Sequence, residues 1–333
     1  MKVLIAGGAG YIGSTVASAC LDAGITPVIL DNLSTGRIEF TQGRIFYHGD
    51  IADAELIDKI FAEHPDIDAV VHAAALIVVP ESVEQPLRYY RENVAKSVDF
   101  IDHLLRNGVT RYLFSSSGSI YAPGPDFTVD ESSPLAPTNP YSRSKAMMEQ
   151  VLEDATVASP LRAISLRYFN PIGADPKLRS GLQSRRPTHL LGRLLTAVEN
   201  DEEFEITGVD WPTRDGTGIR DYIHVWDLAQ AHVRALERFD DVIPPGSERR
   251  YEVINLGTGS GTTVREFVAA FEAATGTKVR VREGKRRPGD FIGWYTRSQK
   301  AREMLGWTTQ LSIEDGIRDS QRWAAVRDQR LAA

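Results

Sequence analysis

The run Lys2-Val3-Leu4-Ile5-Ala6-Gly7-Gly8-Ala9-Gly10-Tyr11-Ile12-Gly13 decides the fold. Its first half is short and apolar, the pattern of a strand covered on both faces. Its second half sets glycines at 7, 10 and 13, and the amphipathic stretch Ile12–Ala23 overlaps its end. A chain passing straight from strand to helix must turn sharply, let a ligand pyrophosphate approach the backbone, and pack the helix on the sheet. A side chain at these glycines obstructs each task. The first turn of the helix then offers unpaired N–H groups to phosphate oxygens. Alone, the motif also describes a tight turn without a ligand. Asp31 separates the two readings. It follows the next apolar run, Pro27–Leu30, where a carboxylate accepts hydrogen bonds from the adenosine ribose and repels a 2′-phosphate. That selects NAD over NADP. Asp50, in Gly49-Asp50-Ile51, keeps two readings: an adenine contact shared with Ile51, or an ordinary turn.

Working outward, Val3–Ala6, Pro27–Leu30, Ile45–His48, Ala69–Ala73, Tyr112–Ser115 and Ala163–Tyr168 read as strands. Amphipathic stretches near Ile12–Ala23, Ala54–Glu63, Tyr89–Arg106 and Ser142–Asp154 alternate with them. The rhythm predicts an α/β fold with a doubly wound parallel sheet of the Rossmann type. After Phe169 it breaks. Residues 171–222 are rich in Pro, Gly, Arg and Asp and carry one helix, His189–Glu199. Asp227–Arg238 and Val264–Thr275 read as helices, and Tyr251–Leu256 as a strand rejoining the sheet. Glu283–Gly293 reads as a basic loop, and Asp328–Ala333 as a frayed end. The expected division is an NAD-binding domain of residues 1–170 plus about 223–262, with a smaller, discontinuous α/β substrate-binding domain of about 171–222 plus 263–333.

The 333 residues suffice for one large domain or two packed ones. A net charge of -7 and a pI near 5.6 exclude a broad nucleic-acid surface, while leaving room for a local basic pocket. Cys20 is the sole cysteine, so no intrachain disulfide forms, which fits a reducing cytoplasm. The apolar start is too short for a secretory leader. The longest later apolar run, Ala69–Val79, contains His72 and is too short for a membrane span. The histidines are scattered without metal-ligand spacing, so no metal is expected.

Tyr141-Ser142-Arg143-Ser144-Lys145 sets Tyr141 and Lys145 one helical turn apart on one face. Tyrosine titrates near pH 10, and a nearby ammonium is the means of lowering that. The same lysine can hold the nicotinamide ribose. Upstream, Ser115-Ser116-Ser117-Gly118 ends a strand, at the edge that faces the ligand cleft of a doubly wound sheet. A serine there relays a proton or holds the reacting oxygen.

The glycine motif, the triple serine and YxxxK together resemble the extended short-chain dehydrogenases/reductases. More specific stretches are similar to the bacterial UDP-glucose 4-epimerases. These are Glu81-Ser82-Val83 with Tyr89-Tyr90 and Asn93, then Arg167-Tyr168-Phe169-Asn170-Pro171-Ile172-Gly173-Ala174, and above all Asp215-Gly216-Thr217-Gly218-Ile219-Arg220-Asp221-Tyr222-Ile223-His224-Val225. The resemblance covers about the first 310 residues. It implies an isomerase acting on a UDP-sugar through a 4-keto intermediate, with tightly held NAD, catalytic residues Ser117, Tyr141 and Lys145, and a homodimer built through helices near Tyr89–Arg106 and Ser142–Asp154.

Carried over by position, the cofactor contacts are Gly7, Gly10, Tyr11, Ile12, Gly13, Asp31, Asn32, Thr35, Gly36, Asp50, Ile51, Ala73, Ala74, Ala75, Asn93, Ser115, Tyr141, Lys145 and Phe169. Ser117, Asn170, His189, Leu190, Thr207, Arg220, Arg287, Asp290 and Trp294 would line the nucleotide-sugar site. Arginine suits a diphosphate because its planar fork matches the oxygens. Three departures stand out. Ile77 occupies the place of a lysine near the nicotinamide, Thr207 that of an aromatic beside the uracil, and Trp294 the position that gates N-acetylated sugars. Competing readings are a 4-epimerase of UDP-glucuronate, UDP-arabinose or a specialised sugar, a 4,6-dehydratase, and a non-catalytic NAD-binding protein. Against the dehydratase, Gly118-Ser119 after Ser117 lacks the acidic pair its water elimination requires.

Overall fold

The computed structural model describes residues 1–122, 124–185, 187, 189–286 and 292–331. Seven strands form one parallel sheet: β1 Lys2–Ala6, β2 Thr26–Asp31, β3 Ile45–His48, β4 Ile67–His72, β5 Arg111–Ser117, β6 Arg162–Tyr168 and β7 Tyr251–Leu256. Their spatial order is β3-β2-β1-β4-β5-β6-β7. The order reverses between β1 and β4, and ligands of such sheets bind at that switch point, beyond the strands' carboxyl ends.

The strands are apolar at successive central positions because alternate residues enter different cores. Val3, Ile5, Val71, Leu113 and Leu166 pack on one face with Val16 and Cys20 from the helix Tyr11–Asp22 and with Leu228. Leu4, Ala6, Val70, Tyr112 and Phe114 pack on the other with Phe61, Phe100, Leu104, Met148 and Leu152. Period-two alternation thus serves two helical layers at once.

Beyond β6 the chain leaves the sheet. Asn170–Ile172 pairs in parallel with Tyr222–His224, and Phe204–Thr207 with Val281–Gly284. The helices Leu190–Glu199, Val264–Thr275 and Ile313–Arg330 surround a third core containing Leu194, Phe204, Phe267, Phe271 and Ile317. Thr263 and Ser312 start two of these helices with reciprocal capping boxes.

Three expectations need amending. The end is not frayed from Asp328: the last helix runs to Arg330, held by buried Trp323, whose indole N–H donates to the Leu182 carbonyl at 2.8 Å. The basic loop beginning at Glu283 opens inside the strand Val281–Gly284, and residues 287–291 lie outside the described ones. The helical stretch Tyr89–Arg106 comprises Pro86–Tyr90, a wide turn Arg91–Ala95 and Lys96–Arg106.

Candidate active site

A groove of about 940 Å³ runs across the carboxyl ends of the sheet. At its first end the glycines follow the logic of the motif unequally. Gly7 sits at φ 80°, and a methyl group there would lie 2.5 Å from the Ala74 backbone nitrogen. A methyl on Gly13 would collide with the Gly7 carbonyl oxygen. At Gly10 the nearest protein atom would be 3.4 Å away, an ordinary contact. The protein therefore needs glycine at 7 and 13 for its own packing, whereas Gly10 leaves room over the open N-terminus of the helix Tyr11–Asp22, which has no side-chain cap. That pattern fits a pyrophosphate.

Asp31, buried at the end of β2, accepts from the backbone of Ala9 at 2.9 Å and of Leu33 at 2.8 Å. Burial raises its pKa, and those two bonds oppose the rise. Gly36 stands behind it, where a methyl would lie 2.7 Å from the carboxylate. Tyr11, Ile12, Asn32, Thr35, Ile51, Ala73, Ala74 and Ala75 line the same end. Asp50 also lines it, but Lys96 at 2.7 Å and Asn32 at 3.3 Å already hold its carboxylate.

In the middle, the helix Pro140–Ala158 begins with an Asn139 cap and presents Tyr141 and Lys145 to the groove. Lys145 is buried; its ammonium donates to the Ser115 carbonyl at 2.8 Å and lies 4.8 Å from the Phe114 ring centroid. Burial lowers its pKa to about 8, against a restoring pull from Glu149. Burial raises the pKa of the Tyr141 phenol, and the neighbouring Ser117 hydroxyl lowers it. Tyr141 is thus not depressed by Lys145 in this arrangement, because the ammonium is turned onto the Ser115 carbonyl. Ser117 donates to the Ser119 hydroxyl at 2.9 Å, which also accepts from the Ser142 hydroxyl at 3.0 Å. This hydroxyl chain was not read from the sequence, although Ser119 and Ser142 both flank its motifs.

The third region is lined by Asn170, His189, Leu190, Arg193, Thr207, Trp211, Arg220 and Trp294. The ring nitrogen Nδ1 of His189 accepts from the Gly192 backbone at 3.2 Å, capping the helix Leu190–Glu199. Arg220 donates to the carbonyls of Ile219 and Ile292, each at 2.8 Å. The Trp294 indole donates to the Gly118 carbonyl at 2.7 Å.

A profile of the NAD dependent epimerase/dehydratase family matches residues 3–257. A UDP-glucose 4-epimerase of Azospirillum brasilense is 42% identical over 98% of this chain and 93% of its own. One from Bacillus subtilis is 40% identical over 97% and 96%. The chain belongs to the NAD dependent epimerase/dehydratase family. Its fold matches that of a UDP-glucose 4-epimerase from Stenotrophomonas maltophila with bound NAD and formylated UDP-arabinopyranose, with a TM-score of 0.92, 35% identity and 99% of each chain covered.

Measured against this epimerase/dehydratase family, most expected residues converge on one groove. Asn93, Ser115 and Gly36 do not line it. Asn93 is buried and braces the site: its amide accepts from the Leu76 backbone at 2.8 Å and donates to Ser144 at 3.1 Å. Ser115 acts through its carbonyl, while its hydroxyl meets buried His232 at 3.3 Å. Phe169 lines the groove, and Ile77 does so while 64% exposed, leaving its rim apolar. Arg287 and Asp290 lie outside the described residues. Arg193 and Trp211 were missed by the sequence reading, since neither sits in a motif with a chemical signature. Among the described residues no helix is long and apolar enough to cross a membrane.

Proposed function

We propose that the protein interconverts UDP-galactose and UDP-glucose by NAD-dependent inversion at C4. The observation that carries this is the convergence of Ser117, Tyr141 and Lys145 on one groove with the glycine motif and with Arg193 and Arg220. NAD, when bound, supplies the acceptor that takes hydride from C4 and returns it to the opposite face. Gly7, Gly10, Gly13 and Asp31 would hold it. Tyr141 takes the proton of the 4-hydroxyl and later gives it back, with Ser117 holding the reacting oxygen. Lys145, cationic below about pH 8, would favour the phenolate once its ammonium turns from the Ser115 carbonyl toward Tyr141. The resulting 4-keto sugar turns about its diphosphate link, which Arg220, lining the groove, would hold, and reprotonation by Tyr141 completes the inversion. The net reaction consumes no cofactor.

Trp294, held against Gly118 at the groove wall, crowds a 2-acetamido group, so UDP-GlcNAc is a poor substrate in this reading. The homodimer is part of the proposal. Val98 and Met147, on the two helical stretches named for it, are 42% and 45% exposed. A single buried cysteine accords with a reducing cytoplasm. Proton NMR of the purified protein with UDP-galactose, UDP-GlcNAc and UDP-glucuronate tests the substrate. Conversion of UDP-galactose to UDP-glucose, reaching one mixture from either side without added NAD, is expected. A 4-keto-6-deoxy product, or turnover of UDP-glucuronate alone, would replace the proposal.

A further inference from the structure

The third region of the groove carries an aromatic ring whose seating serves no core. Trp211 is half-buried and lines the groove. The Arg286 guanidinium lies 3.6 Å from its ring centroid but does not itself line the groove. Arg286 is in turn fixed by Asp210, donating to its carboxylate at 2.7 Å and to its backbone carbonyl at 2.8 Å.

The local backbone is shaped around this pair. Gly208 sits at φ 74°, and a methyl there would stand 2.6 Å from the indole nitrogen and 3.0 Å from the Arg286 stem. The Gly208 backbone donates to Gly284 at 3.0 Å and that of Trp211 to Gly216 at 2.8 Å, so both segments are tied down. The indole is a preorganised plate, covered by a cation on one side and reaching the groove with what remains.

A nucleotide sugar reacting at Tyr141, with the cofactor filling the glycine end, must extend its diphosphate and base toward this third region. Of the other aromatics lining the groove there, Phe204 and Tyr222 are buried and the Trp294 indole is tied to the Gly118 carbonyl, and Thr207 offers no ring. We propose that Trp211, clamped by Arg286, is the platform on which the substrate's pyrimidine base stacks. This rests on the UDP-sugar reading above. Every base has a π face, so an indole plate holds one without reading its edge, and an adjacent guanidinium adds cation–π attraction to the stack. Trp211 thereby takes the part for which Thr207 has no ring.

The test is isothermal titration of the NAD-loaded protein with UDP. Trp211→Ala is expected to weaken UDP binding roughly 5- to 150-fold, the range for one lost base–aromatic stack. Trp211→Phe, which keeps a ring, should recover most of it, and Arg286→Ala should weaken binding to a smaller degree. Melting temperature and retained NAD monitor folding. UDP affinity within twofold of the parent in Trp211→Ala, or a Phe variant no better than the Ala variant, overturns the platform. Sugar turnover by the parent together with either result would leave the epimerase reading standing. Tight UDP binding that depends on Trp211, without turnover of any UDP-sugar, would support the platform and sink that reading.

Discussion

Glu149→Gln is expected to destabilise the protein far more than a surface substitution would. Glu149 and Arg167 form an ion pair in which each side chain is 6% exposed. Arg167 donates through Nε to both carboxylate oxygens, at 2.9 and 3.1 Å, and through a second nitrogen to one of them. Ser116 donates to the same carboxylate, and Arg167 reaches the Tyr121 hydroxyl at 2.6 Å. Breaking a buried pair leaves the surviving charge without compensation, which costs about 3–5 kcal/mol. Against a typical folding stability of about 5–15 kcal/mol, that is a large share. Replacing both partners with apolar residues, Glu149→Met with Arg167→Met, should cost less than the single change, because no orphan charge remains. Urea unfolding of the parent, the single and the double variant measures all three. A loss below about 1 kcal/mol in Glu149→Gln, or a double variant less stable than the single, would refute the reasoning.

Tyr141→Phe should lower turnover by about 10²–10⁴-fold while NAD and UDP still bind; retained turnover would remove Tyr141 as the base. Burial lowers the Lys145 pKa to about 8 from 10.5, so activity should fall as pH rises through about 8, and Lys145→Met should abolish that alkaline limb. The same depression makes this group's contribution to stability rise between about pH 8 and 10.5, where the unfolded chain binds the extra proton, which denaturation curves across that window would show. Gly10→Ala should change stability by only about 0.5 kcal/mol yet reduce NAD retention, since its methyl meets no protein atom closer than 3.4 Å. Equal NAD content in parent and variant would remove the pyrophosphate from that position. UDP-GlcNAc should turn over at least about tenfold more slowly than UDP-galactose, and Trp294→Ser should narrow the gap; comparable parent rates would refute the gate.

Much of the fold is legible locally. Apolar runs with a 3.6-residue rhythm between them dictate strands and helices, and Gly7, Gly13 and Asp31 mark the switch point because backbone sterics and a strand-end carboxylate act over a few residues. Tyr141 and Lys145 were readable for the same reason, being one turn apart on a helix. What the groove does with its side chains was not. Lys145 donates a hydrogen bond to the Ser115 carbonyl, Asp50 is engaged by Lys96, and Asn93 braces Leu76 and Ser144 rather than lining the groove. Each partner is distant in sequence, and hydrogen-bond allegiance between such groups is decided only when packing sets their separation and dehydration. Trp211 and Arg286 are the extreme case. Neither belongs to a motif, and their stacking depends on two segments meeting beside Gly208. Periodicity and local sterics, properties of neighbours along the chain, therefore determined the architecture and the pairing of Tyr141 with Lys145 on one helix face. Only the tertiary structure decided which charges are compensated, which hydroxyls form a chain and which ring faces the groove, because those depend on distances between residues that the chain order does not constrain.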